Sequence, residues 1–172
     1  MNEEAGMYST KPIALESVPS ALAKAERYRL LNEPGEAESI CEDILRIQPD
    51  NEQARITLFL AVTDQIPHDP QAFAKAMATV PHLATPYDRA YYSGIAWERR
   101  AKARHAVNTH GSSRYVFEWI VTALRFFEEA ESLRPSGNDD SVLRWNACVR
   151  FLEVNDHLTP QTDDVPDPIA SE

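Results

Sequence analysis

Apolar residues recur at steps of three and four through seven segments of this chain, near residues 19–31, 36–47, 51–65, 70–80, 86–106, 113–134 and 139–156. That period keeps side chains on one face of an α-helix, so each segment predicts an amphipathic helix. The sixth is the clearest, with Val116, Trp119, Ile120, Ala123, Phe127, Ala130 and Leu133 forming one stripe that predicts contact with the long fifth helix. Alternation of the kind that marks a strand is absent from the sequence. Boundaries carry their own signals: Ser112 or Ser113 can cap the sixth helix, and Asn138, Asp139 or Asp140 the seventh. The expected fold class is therefore all-α.

Two of these segments repeat one another. Ala37, Cys41, Ile44 and Pro49 stand at steps of four, three and five, and so do Ala123, Phe127, Ala130 and Pro135. A small residue, a larger apolar residue four positions on, and a closing proline that halts the helix describe an element that buries one stripe and turns. In the leading helix of the first unit, Ala25 and Tyr28 are a small residue and an aromatic three positions later; Gly94 and Trp97 repeat that pair in a third unit. The middle unit offers Leu58, Phe59 and Val62, then Ala74, Ala78 and Pro86, with Pro81 placed to end its second helix early.

On these residues, over roughly 20–152, the chain resembles the tetratricopeptide repeat family. The resemblance implies a right-handed α-solenoid of about three helix pairs with an odd C-terminal helix capping the last apolar face. It departs from the family in lacking the leading Trp and Leu of the repeat, in Ala25 standing where the family has glycine, and in about half a repeat inserted between Trp97 and Ala123. In this family the first helix of each pair lines a concave surface that receives a peptide or a partner helix. Carried over residue by residue, the groove-facing positions are Leu22 and Glu26 in the first unit, Ile56, Leu60 and Thr63 in the second, and Tyr91, Ile95, Glu98 and Arg99 in the third. Arg144, Asn146 and Arg150 on the last helix would extend the groove. This set lacks the Lys and Asn of the family's carboxylate-clamp members and reads as apolar with charged edges; Tyr91 with Ile95 and Ile56 with Leu60 are expected to form adjacent ridges. The alternative is that these apolar residues pack internally.

With 172 residues and 43% hydrophobic content the chain fits one domain with a core. Its Met1-Asn2-Glu3-Glu4 start has no basic or apolar leader, and its longest purely apolar run is Leu58 to Val62, so neither a signal peptide nor a membrane span is expected. Residues 1–17 read as a flexible arm, 18–156 as the repeat domain, and 157–172 as an acidic disordered tail. The net charge of −10 sits mostly at the ends, with −6 in 153–172, which disfavours nucleic acid as a partner. Against that background Arg99, Arg100, Lys102, Arg104 and Arg114 form an acid-free stretch, either a solvated helix end or a dock for acidic groups, the tail included.

Candidate chemistry is sparse. His105 and His110 are five apart, off the i, i+4 spacing of helical metal ligands, and His68-Asp69 sits in a proline-flanked turn. There is no G-x-S-x-G elbow and no Gly-rich phosphate loop. Cys41 and Cys148 lack a CxxC spacing and read as reduced, buried thiols. The expectation is a non-enzymatic, cytoplasmic adaptor for another protein or peptide, without cofactor or metal. The alternatives are a secretion-type chaperone, because small acidic three-repeat proteins resemble the translocator chaperones of bacterial injection systems, and a self-associating structural subunit.

Overall fold

The computed structural model describes residues 8–107, 113–158 and 160. His110, Ser112, residues 1–7 of the arm and the tail from 161 lie outside the described residues. Seven α-helices account for most of the rest, and among the described residues there is no strand. They are α1 (Val18–Leu30), α2 (Pro34–Ile47), α3 (Glu52–Asp64), α4 (Ala72–Thr79), α5 (Pro86–Val107), α6 (Ser113–Leu133) and α7 (Asp140–Val154).

Local chemistry sets their ends. Asn51 caps α3, its side-chain oxygen accepting from the Ala54 N–H at 2.9 Å, and the Thr85 hydroxyl accepts from the Asp88 N–H at 3.0 Å at the start of α5. Of the three caps expected before α7, Asn138 serves, accepting from the Asp140 N–H at 2.9 Å. Asn32 takes a positive φ of 62° between α1 and α2, a conformation that asparagine tolerates better than most residues. Pro81 acts as its position predicts: α4 stops at Thr79 and tightens into a 3-10 turn over Val80–His82.

Each helix packs against the next in sequence, and α1 also meets α3 and α3 meets α5. The most extensive contact joins α5 to α6. Val116, Ile120, Ala123, Phe127 and Ala130 of the expected stripe are buried there, while Trp119 is half-buried and Leu133 exposed. Gly94 permits this approach, since a Cβ built on it would lie 2.5 Å from the Phe127 ring.

The main core gathers Phe59, Val62, Ala76, Ile95, Val116, Phe127, Cys148 and Leu158. Ala25, Ala37, Cys41 and Ala61 form a smaller cluster among the first three helices, with Tyr28 against it. The two repeated motifs thus both face inward. Both cysteines are free and buried, and burial pushes each thiol up to about 12. At the carboxyl end the chain stays held past residue 156: Leu158 is buried in the main core and the His157 ring stacks on His105 at 5.9 Å. At the other end, Ile13 packs against Val18, Ile44 and Ala54.

Candidate partner-binding face

The helices α1, α3, α5 and α7 are joined by a line of charged side chains. Asp64, the last residue of α3, accepts from Arg29 Nε of α1 at 2.8 Å through Oδ2 and lies 2.7 Å from Arg99 Nη1 of α5 through Oδ1. One carboxylate thereby ties three helices. Arg99 also donates to the Leu60 carbonyl at 3.0 Å and to the Thr63 hydroxyl. Burial pulls the Arg99 guanidinium below its ordinary pKa, and Asp64 is the chief charge acting against that fall.

One residue before Arg99, Glu98 points at the next helix. It is 1% exposed, with Lys102 Nζ 2.6 Å from Oε1 and Arg144 Nη1 of α7 3.6 Å from Oε2. A buried carboxylate is tolerated only where cations offset its lost hydration, which costs several kcal/mol. Lys102 does so by a hydrogen bond. Arg144 does so at ion-pair distance, so Oε2 itself accepts no hydrogen bond. Burial works against the charge on Arg144, but Glu98 and Tyr91 together outweigh it and hold that guanidinium above its usual value. The Tyr91 hydroxyl is raised by burial, and its hydrogen bond with Arg144 partly counters the rise.

The structure thus brings Leu60, Thr63, Tyr91, Glu98, Arg99 and Arg144 into one connected face. It adds Arg29 and Asp64, which the sequence reading did not single out, and Lys102, which it read only as part of the acid-free stretch. Glu26 lies further along the same helices, accepting from Gln53 of α3 at 3.2 Å. Asn146 is half-buried and Arg150 exposed on α7. A shallow pocket of about 350 Å³ opens beside the ion pairs, lined by Thr63, Asp64, Arg99, Lys102 and Ala106 among others.

Other expected positions fall elsewhere. Ile95 is 2% exposed in the main core, and Leu22 packs against Val18, Ile44 and Ala54. Ile56 is half-buried and outside the charged line. The adjacent ridges of Tyr91 with Ile95 and Ile56 with Leu60 are replaced by a different contact: Phe59 of α3 meets Tyr92 of α5 edge-on at 5.3 Å, while Tyr91 stacks on Tyr87 at 5.6 Å. The face is therefore ionic at its centre, because the apolar residues of α5 turn inward to α6. The acid-free stretch is also less open than its composition implies: Arg99, Lys102 and Arg114 are paired with Asp64, Glu98 and Glu118.

Comparison with protein-family models, with curated proteins and with solved structures yields no match to this chain. Among the described residues no group of three or more His, Cys, Asp or Glu side chains is arranged to hold a metal, and no helix is long and apolar enough to cross a membrane.

Proposed function

We propose that this protein is a non-enzymatic adaptor, a tetratricopeptide-like solenoid that holds a peptide or a partner helix on the face formed by α1, α3, α5 and α7. The observation that carries the reading is the Arg29–Asp64–Arg99 bridge, continued by Glu98 to Arg144, which sets alternate helices side by side with their polar groups in one line. Side-by-side packing of α1 with α3 and α3 with α5 accords with a superhelix of helix pairs. A partner on this face would meet fixed donors and acceptors that set its orientation, flanked by exposed Glu26 and Arg150 at the rim, where charge mainly governs association rate and salt dependence.

The test is affinity capture from the source cell with the full chain as bait. A discrete partner is expected, and the rim variant Glu26→Lys with Arg150→Glu is expected to lower its recovery severalfold while the outer variant Glu42→Lys with Glu128→Lys leaves it unchanged. Recovery reduced only by the outer pair would overturn the assignment of the face.

A further inference from the structure

A second concave site adjoins the first across Pro67 and Ala103, between the α3–α4 turn, α4 and the C-terminal half of α5, with a volume of about 340 Å³. Its notable group is Arg100. The guanidinium lies over the Phe73 ring at 4.2 Å, over Trp119 at 4.1 Å and over Trp97 at 5.3 Å. These rings come from α4, α6 and α5, so the cation is fixed by three helices. Yet it has no carboxylate within ion-pair distance and no hydrogen-bond acceptor among the described residues, unlike Arg99 and Lys102 on the same helix. A guanidinium presents five N–H donors in a planar fork. Stacking on rings satisfies none of them, and water is partly excluded.

The surroundings specify what would complete it. Arg104, one turn on, is exposed and lines the same cleft without an ion-pair partner among the described residues. Asp69, a carboxylate on the lining, is already engaged by Lys75 Nζ at 3.2 Å and by the Gln71 N–H at 2.8 Å. Pro67, Pro70 and Val107 supply an apolar margin, Val107 being 62% exposed. Two unpaired cations over an apolar floor complement a carboxylate with an apolar neighbour.

We propose that this cleft receives an acidic peptide from a partner protein, Arg100 donating to a carboxylate in the bidentate fashion suited to its fork and the adjacent apolar side chain seating against Val107 and the prolines. The site adjoins the pocket beside the charged face, sharing Pro67 and Ala103 with it, but Arg100 takes no part in the ion pairs of that face, so its occupation does not require that face to bind anything.

The experiment titrates the isotope-labelled full chain with acetyl-Leu-Asp-Asp-Leu-amide, followed by NMR at the Arg100 Nε–H and the Trp119 indole N–H. Both signals are expected to shift, and the Asn counterpart of the peptide to bind about tenfold more weakly, the loss that follows from one charged hydrogen-bonded contact. Arg100→Lys keeps the charge but loses the fork and is expected to weaken binding several-fold. Arg104→Gln, at an exposed position, is expected to weaken it less with the fold intact. Equal binding of the Asp and Asn peptides, or shifts confined to other residues, would overturn the proposal. So would movement of the Arg100 signal, without peptide, on changing Asp163, Asp164, Asp167 and Glu172 to their amides, since the chain's own carboxylates would then be the occupant.

Discussion

Replacing Gly94 by alanine isolates the contact that joins the two longest helices. A Cβ at this position would stand 2.5 Å from Phe127 Cε1, 2.7 Å from Cδ1 and 2.9 Å from Cζ, all closer than carbon atoms approach without displacement. Phe127 is fully buried and packed against Tyr91 at 6.1 Å, so its ring has little room to yield. Overpacking of this kind costs about 1–3 kcal/mol. Against it stands the gain of alanine over glycine inside a helix, about 0.5–1 kcal/mol. The net expectation is a loss of up to about 2.5 kcal/mol, or up to roughly 10 °C in Tm for a chain of this size. Gly35→Ala provides the comparison, because the nearest atom to its Cβ is 4.0 Å away and only the propensity gain applies. Urea and thermal unfolding followed by circular dichroism measure both. A Gly94→Ala protein stabilised as much as Gly35→Ala would refute the close approach of α5 to α6.

Phe127→Ala leaves a cavity at the centre of the same contact and is expected to cost about 3–5 kcal/mol by urea unfolding. Asp64→Asn leaves Arg29 and Arg99 without their shared carboxylate, and since all three side chains are at most a quarter exposed the expected loss is about 1–3 kcal/mol, with a non-zero coupling between Asp64→Asn and Arg99→Gln in a double-mutant cycle. Alkaline pH is expected to weaken the fold: Cys41 and Cys148 are raised from 9.0 to about 12 by burial, so between those values the unfolded chain releases thiol protons that the folded chain keeps, and unfolding gains. Their stabilising share is complete below about pH 8.5 and is lost as pH rises toward 12, and the fall in Tm over that interval should be shallower in the Cys41→Ala, Cys148→Ala protein.

Helix positions were legible because they depend on local periodicity and on caps. The Val116 to Ala130 stripe, Pro81 and Asn138 each act through neighbours within a few residues, and each does in the structure what its spacing predicts. The candidate face was legible in part. Glu98 and Arg99 were found because they fall on the leading helix of a repeat, and Arg144 because the capping helix extends the same groove. Asp64 was missed because its importance comes from being opposite Arg29 and Arg99 across two helix interfaces, a relation that no spacing along the chain encodes. Ile95 was placed on the concave face by the same repeat register, but Gly94 brings Phe127 so close that α5 buries more of its circumference than a single stripe allows. Arg100 was read only as part of a basic run; its aromatic neighbours come from α4 and α6 as well as α5 and meet only on folding.

The adaptor reading is tested most directly by placing a photo-crosslinking amino acid at single exposed positions of the full chain in the source cell. Glu26, Ala106 and Arg150 report on the face of α1, α3, α5 and α7, and Glu42 and Glu128 on the helices behind it. The account predicts adducts with one discrete partner from the first three positions and none from the last two. Adducts from Glu42 or Glu128 alone, or none from any position, would contradict it.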